Sequence, residues 1–429
     1  MRNISRQFQF EVDNNKYIFD GDEVVLFPVV NSISKYKILR NEKSNSDTFR
    51  KNFLYTVALN LINKCNLTCE YCFANQGNYD NPNQRMSFEV AKKSIDLTLE
   101  SVIKNKHDEI RIAFFGGEPM LEFELIKQIV HYVNTKVPIT VTPTYLITTN
   151  GTIMDEEISN FFQKNNFIVT ISIDGDQETH DFYRKFNSGK GSYQSVRNCI
   201  NILIDKVPII GRITVNHNNF DIHNHVEHLV SLGFKEITFA YDYNIYHNTF
   251  NKFTSSIDTL MKNYISDIKN RKYYNLTNIT SVLLAIALNL KTKSHCSAGK
   301  SYLSVSSEGN IYKCPRFTGV EKHSFGKIDT NQLTQIESEI RMFDDSLQTS
   351  VADRDGNCNY CTFIYLCGGM CYHHSFTKSS GSQFTRIESE CNYRKQLYKR
   401  TLELIVKLTP LERRDFIRFL MTNRDIVTN

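Results

Sequence analysis

Cys65, Cys69 and Cys72 stand in the stretch "NLINKCNLTCEYCFAN" (residues 60–75), a C-x3-C-x2-C spacing directly after an apolar run. Three thiolates on one loop can hold three corners of a cubane 4Fe–4S cluster and leave its remaining iron without a protein ligand. That iron is then a coordination site for a second molecule. The alternative is a zinc site with a distant fourth ligand, which usually draws on C-x2-C pairs from two sides, and the spacing alone leaves both open. A second concentration begins at "HCSAGKSYLSVSSEGNIYKCPR" and runs through "CNYCTFIYLCGGMC". It supplies Cys296, Cys314, Cys358, Cys361, Cys367 and Cys371, with Cys391 after a gap. Seven cysteines without paired histidines suit tetrathiolate iron–sulfur clusters better than zinc ribbons. The eleventh cysteine, Cys199, lies in the helical pattern "SYQSVRNCINIL". It is expected in the core, where a free cysteine packs as a small hydrophobe.

A scaffold must hold these groups, and 429 residues suffice for two or three domains around a full core. A composition of 41% hydrophobic and 23% charged residues is that of a soluble globular enzyme. The net charge of +5, spread over scattered Lys and Arg, gives no footprint for nucleic acid. The N-terminus has no signal-peptide core, and the longest helix-like apolar run, "SVLLAIALNL" (281–290), is too short to span a bilayer. The expectation is a cytoplasmic protein without a membrane partner. In a reducing compartment, clustered cysteines read as metal ligands or redox groups rather than disulfides.

Residues 6–30 alternate apolar and polar around "DNN" and "GDE" turns, which predicts a small antiparallel element of two or three strands. The polar stretch 40–52 closes it. From Tyr55 onward, β-rich runs at 55–62, 110–115, 144–149, 167–173, 211–216 and 236–241 alternate with amphipathic stretches such as 87–104 and 123–134. This pattern predicts an α/β fold, a parallel sheet with covering helices. Six units predict a partial (β/α)6 barrel, whose functional groups belong on the loops after the strands. The three cysteines follow the first strand, "GGEP" (116–119) the second, "NG" (150–151) the third and "DG" (174–175) the fourth. After residue 295 the chain turns to short glycine- and cysteine-rich segments with little helix. Helix returns over 392–422, broken near Pro410. The histidine-rich "HNNFDIHNHVEH" (217–228) leads into a helix and reads as a solvated turn rather than a metal site. The divisions expected are 1–52, 53–290, 291–395 and a helical 396–429.

Together these residues resemble the radical S-adenosylmethionine (SAM) superfamily. The form "NxxCNLxCxYCF" is similar to its peptide-modifying branch, and the seven late cysteines resemble, one for one, the SPASM extension of that branch. The resemblance implies that SAM chelates the open iron held by Cys65, Cys69 and Cys72. Reductive cleavage then gives methionine and a 5′-deoxyadenosyl radical, which takes hydrogen from an unactivated C–H bond. It further implies SAM contacts from Tyr71, Gly116, Gly117, Glu118, Ser172, Asp174 and Arg184, with His180 a weaker candidate. Three 4Fe–4S clusters follow from it. The outer auxiliary cluster would use Cys358, Cys361, Cys367 and Cys391. The inner would use Cys296, Cys314 and Cys371, one ligand short, with a substrate thiolate or His295 as alternatives for the vacancy. The implied partners are a short cysteine-containing precursor peptide and an electron donor such as flavodoxin or ferredoxin.

Residues 10–30 resemble the opening hairpin of precursor-peptide recognition domains in sulfur-crosslinking (sactipeptide- and ranthipeptide-type) maturases, which bind a leader at a sheet edge. Anaerobic sulfatase maturases share the architecture but carry a basic aspartate directly after the second SPASM cysteine. Here Cys314 is followed by Pro315 and Arg316, and no general base is assigned. The function expected is therefore thioether formation on a ribosomal peptide. Carbon–carbon crosslinking, sulfatase-type oxidation and a non-catalytic metal-binding adaptor are the alternatives.

Overall fold

The computed structural model describes residues 6–29, 53–79, 81–216, 219–242, 250–292, 294–329, 332–353, 358–379 and 381–422. The polar stretch 40–52 lies outside them. At the N-terminus, β1 (Gln7–Val12) and β2 (Asn15–Asp20) pair antiparallel across a two-residue turn. Asp13 and Asn14 both have positive φ there, 50° and 62°, the pattern of a hairpin turn whose twist matches its strands. With β3 (Val25–Pro28) they form the expected three-stranded element. Its aromatic side chains face the late cysteine segment: Phe8 and Phe19 pack on Phe363 at 5.7 and 5.9 Å, and Arg6 Nε donates to the Asn359 carbonyl at 2.9 Å.

The six predicted barrel strands all form. They are β4 (Thr56–Asn60), β5 (Glu109–Phe115), β6 (Thr142–Thr149), β7 (Phe167–Ser172), β8 (Ile209–Val215) and β9 (Glu236–Tyr241), each parallel to the next. All five residues of β4 are buried, as a strand covered on both faces must be. Helices return the chain between strands; Phe88–Lys104, for example, starts where the Ser87 side chain accepts from the Val90 N–H.

The sheet is wider than six strands. A short β10 (Asn275–Leu276) adds parallel to β9. On the opposite side, β11 (Tyr302–Val305) pairs parallel with β4, from Tyr302 against Thr56 to Val305 against Leu59. It is followed antiparallel by β12 (Asn310–Tyr312) and β13 (Ser324–Lys327). The segment between Cys296 and Cys314 thus completes the edge of the first barrel strand, which satisfies its backbone groups. It also fixes the late cysteines relative to the early loop.

Two expectations need correction. The region after 295 contains a long helix, Leu333–Asp353, whose Leu333, Ile336, Ile340, Phe343 and Leu347 recur at helical spacing and are buried. The C-terminal helical region is broken near Pro410 as expected: Glu388–Lys407 ends before it, and Pro410 opens Pro410–Thr422 at a position where its missing N–H costs nothing. The histidine-rich stretch is not a solvated turn, because Ile222–Ser231 is helical and places His225 inward beside Ile222, Val226 and Leu229. Residues 217 and 218 of that stretch lie outside those described. Cys199 is fully buried in Tyr193–Leu203, as expected. No helix among the described residues is long and apolar enough to cross a membrane.

Candidate functional site

The early cysteine loop leaves β4 and is pinned by the loop after β5. Gly117 N donates to the Ile62 carbonyl and Glu118 N to the Lys64 carbonyl, both at 2.8 Å. The approach is so close that a Cβ on Gly117 would sit 2.1 Å from the Lys64 carbonyl oxygen. Gly116, at φ 146°, precedes it with Ile62 O 2.7 Å from where a side chain would start. The two glycines therefore seat the cysteine loop itself. Replacing Gly117 with alanine is expected to push that loop away and to lower SAM cleavage at least tenfold. Quantifying 5′-deoxyadenosine against iron content checks this.

Glu118 is buried and already engaged. Its Oε1 accepts from the Met120 N–H at 3.0 Å and Thr149 Oγ1 at 2.7 Å, and its Oε2 from the Asn150 N–H at 2.7 Å. Burial raises its pKa to about 7, against the pull of those three hydrogen bonds. It ties the end of β5 to the end of β6. From the β6 side, Asn150 Nδ2 donates to Asn66 Oδ1 at 2.8 Å and reaches Cys65 Sγ at 3.6 Å, while the Leu67 N–H donates to the same sulfur at 3.4 Å.

Tyr71 of the cysteine loop meets Asp174 and Arg184 of the segment after β7. Asp174, with no exposed surface, pairs through Oδ2 with Arg184 Nε at 2.8 Å and accepts from the Tyr71 hydroxyl on the same oxygen. Its Oδ1 accepts from the Thr214 N–H of β8 at 2.8 Å. The Arg184 guanidinium also lies over the Tyr71 ring, 5.3 Å from its centroid. Burial works against Asp174 ionising, but Arg184 and the hydrogen bonds hold its carboxyl below the usual carboxylate range. His180 supports this cluster from behind. Its Nδ1 accepts from the Asp174 N–H at 3.4 Å and its Nε2 lies 2.9 Å from Ser192 Oγ, whose own hydrogen goes to the Arg184 carbonyl. Burial and the nearby Arg184 charge push His180 down to about 3, so it is neutral. Ser172, half-buried, ends β7 in register with Arg212. Gly175, at φ 113°, has the His225 ring where a side chain would be: a Cβ would lie 2.3 Å from Nδ1.

The late cysteines approach one another in two sets. Cys314 lies within electrostatic reach of Cys371 and Cys296, and Cys361 within reach of Cys367 and Cys391. Arg386 joins Cys358 to the second set, with Nη1 3.9 Å from Cys391 Sγ. His295 Nε2 lies 3.4 Å from Arg394 Nη2. Arg394 also clamps the buried Glu390 through Nε at 3.0 Å and Nη2 at 2.7 Å, and His374 Nδ1 approaches Glu390 at 2.6 Å. Despite burial, Arg394 and His374 hold Glu390 down at about 2.

Burial raises the thiols of Cys65 and Cys314 to about 12 and that of Cys69 to about 11. Such thiols ionise only when a metal displaces their protons, which couples metal loading to the folded loop. Among the described residues, no three His, Cys, Asp or Glu side chains are gathered closely enough to hold one metal ion, and what recommends a cluster is that the early set and both late sets consist of thiols. The donor set fits iron–sulfur clusters.

Residues 59–260 match the model of the radical SAM superfamily, and residues 296–362 match the SPASM iron–sulfur cluster-binding domain. The chain carries a radical SAM domain followed by a SPASM domain. The SPASM match ends before Cys367, Cys371 and Cys391, which the fold nonetheless brings to the earlier cysteines.

Among curated relatives, an uncharacterized protein of Methanocaldococcus jannaschii is 36% identical over 183 residues, 42% of this chain and 60% of that protein. The chain thus spans less than two thirds of that relative. A cysteine-type anaerobic sulfatase-maturating enzyme of Clostridium novyi is 26% identical over 72% of this chain and 84% of its own length. The radical SAM cyclopropyl synthase TigE of Paramaledivibacter caminithermalis is 26% identical over 81% and 74%. The solved structure of anSMEcpe with bound AdoMet and a Kp18Cys peptide shares the fold, with a TM-score of 0.71 at 20% identity over 82% of this chain and 98% of that one.

Within this radical SAM/SPASM fold, the sequence placed Asn150 on the rim as part of "NG" but gave no role to it or to Asn66, Thr149 and Thr214, the polar residues that hold Cys65, Glu118 and Asp174 in place. Their signal was the run of small polar residues at strand ends, which by itself marks only turns.

Proposed function

We propose that this enzyme modifies a ribosomally made peptide and forms thioether crosslinks from its cysteines. Cys65, Cys69 and Cys72 would hold a 4Fe–4S cluster with one iron left to SAM, and the pair supplies 5′-deoxyadenosyl radical chemistry when bound. Tyr71, Gly116, Gly117, Glu118, Ser172, Asp174 and Arg184 are the candidate SAM contacts; all come from the cysteine loop or from the segments at and after the ends of β5 and β7. The observation that carries the reading is the convergence of Tyr71, Asp174 and Arg184, which locks the cysteine loop onto the end of β7. Two auxiliary clusters would sit on the late cysteines. The inner set of Cys296, Cys314 and Cys371 offers three thiols, which leaves a place for a substrate cysteine. A thiol bound to metal there would be deprotonated.

A second reading, sulfatase-type oxidation, is supported by the named relatives. Against it stands the residue pair after Cys314. Pro315 stands directly after Cys314, where that class carries its aspartate base, and the next residue, Arg316, lies over the ring of Phe73, 4.5 Å from its centroid.

The test is anaerobic reconstitution, with about twelve irons expected, followed by turnover with a short cysteine-containing peptide. Thioether formation removes a pair of hydrogens per crosslink and leaves those cysteines unreactive to alkylation. Carbon–carbon crosslinking removes the same hydrogens but leaves the thiols alkylatable. Sulfatase-type oxidation removes the sulfur. A protein that retains zinc and never cleaves SAM would overturn the enzymatic reading.

A further inference from the structure

A buried ion pair lies between the two late cysteine sets. Glu390 and Arg394 face each other across one turn of Glu388–Lys407, the helix that carries Cys391 of the outer set. Both Glu390 oxygens are engaged: Oε1 by Arg394 Nε and Nη2, at 3.0 and 2.7 Å, and Oε2 by His374 Nδ1 at 2.6 Å. The Glu390 and His374 side chains are only 9% and 8% exposed, so water screens this contact little. His374 belongs to Tyr372–Lys378, the short helix that starts at Cys371. Arg394 Nη2 has a second hydrogen for His295 Nε2 at 3.4 Å, and His295 directly precedes Cys296.

One pair thus grips two segments of the inner set that lie far apart in the chain. Groups hydrogen-bonded around a metal's ligands orient those ligands. The third inner thiol, Cys314, is placed separately, because it follows β12. The chemistry at His295 matters as much as its position. A guanidinium has only donors, so at Nε2 the imidazole must offer its lone pair, and the ring's hydrogen then sits on Nδ1. Neither nitrogen keeps a lone pair for iron. The helix itself does not depend on the ion pair. It buries Leu397, Leu402, Leu404 and Ile405, and Tyr393, beside Arg394, meets Tyr241 at the end of β9 edge-on at 4.4 Å.

We propose that Glu390 and Arg394 position Cys296 and Cys371 for the inner cluster, and that His295 is a strut of this clamp rather than the fourth ligand. The remaining position of the inner set is then left to a group that arrives with the substrate. This rests on the reading of Cys296, Cys314 and Cys371 as ligands of one cluster.

The test uses the full chain with Cys65, Cys69 and Cys72 replaced by alanine and reconstituted anaerobically, so that only the late sets hold iron. Iron analysis and electron paramagnetic resonance of the dithionite-reduced protein are the readouts. Cys358→Ala with Cys361→Ala marks the outer signal by its loss. Arg394→Gln should lose about half of the iron together with the inner signal, while the outer signal stays. His295→Gln keeps an acceptor for Arg394 and should retain both signals, whereas His295→Leu, without one, should lose the inner signal. In the protein that retains His295, no imidazole nitrogen should couple to the inner cluster. The proposal is overturned if Arg394→Gln or His295→Leu keeps both signals, or if a nitrogen coupling is present and vanishes in His295→Gln. It is equally overturned if Arg394→Gln loses both clusters together, which would make the pair a support of the whole region. Fewer than two clusters in the starting protein would instead sink the reading of the late cysteines.

Discussion

Replacing Cys65, Cys69 and Cys72 together with alanine is expected to abolish 5′-deoxyadenosine release while about two thirds of the iron stays bound. The first half follows from the loop's chemistry. Its thiols, raised by burial to about 12 at Cys65 and about 11 at Cys69, become ligands only as metal takes the place of their protons. Alanine removes the donors and leaves no alternative set, since no other cysteine shares that loop. The second half follows from the fold. Of the late cysteines, Cys296 precedes β11, Cys314 follows β12 and the rest come after β13, and the seam between β4 and β11 is made of backbone bonds that cysteine side chains do not supply. The loop should also keep its course, because Gly117, Glu118, Asn150 and Thr68 hold it through backbone and neighbouring polar groups. Iron analysis with the SAM cleavage assay checks both halves. Residual deoxyadenosine would place the reactive cluster elsewhere, and loss of all iron would make the early loop a folding nucleus for the late one.

What could be read from the sequence follows the range of the interactions involved. The six barrel strands were legible because burial on both faces writes continuous β-rich runs, and the intervening helices write their own period. The cysteine loop was legible because metal ligands cannot be exchanged for other residue types. The sheet's extension through β11 to β13 was not, because Tyr302 pairs with Thr56 across nearly the whole barrel and short strands carry little pattern of their own. The helix Leu333–Asp353 was hidden by its setting: its apolar repeat lies among the glycine- and cysteine-rich segments that drew the reading of the region. At the site, Gly116 and Gly117 were expected to make room for a cofactor, whereas their nearest neighbours are Ile62 and Lys64 of the cysteine loop. Composition could not separate these, since a glycine records that something comes close and not what it is. Asp174 and Arg184 were named from resemblance, but their pairing through a shared oxygen with Tyr71 exists only once β7 and the cysteine loop are side by side.

That pairing carries the second large effect. Asp174→Asn keeps the side chain's shape, but its single amide oxygen can accept from Tyr71 or from the Thr214 N–H and not from both, and it leaves the Arg184 guanidinium buried without a counter-charge. Arg184 is 8% and Asp174 0% exposed at the side chain, so solvent screens this pair little. Removing one partner of a buried pair costs about 3–5 kcal/mol, which chemical denaturation under anaerobic conditions would register. The sign with pH is set by Asp174's lowered pKa in the folded protein. Its stabilisation is complete above the unfolded carboxyl value of about 3.9 and is lost as pH falls through the lower folded value. The gap between wild type and Asp174→Asn should therefore be widest near neutral pH and narrow only below about pH 4. Function should fail before the fold does. Tyr71 lies between Cys69 and Cys72, so loosening its anchor lets the thiols drift, and SAM cleavage should fall at least a hundredfold at a pH where the variant is still folded. A variant equally stable at pH 7, or one whose cleavage rate fell only in step with its folded fraction, would show that the pair neither holds the loop nor orders the site.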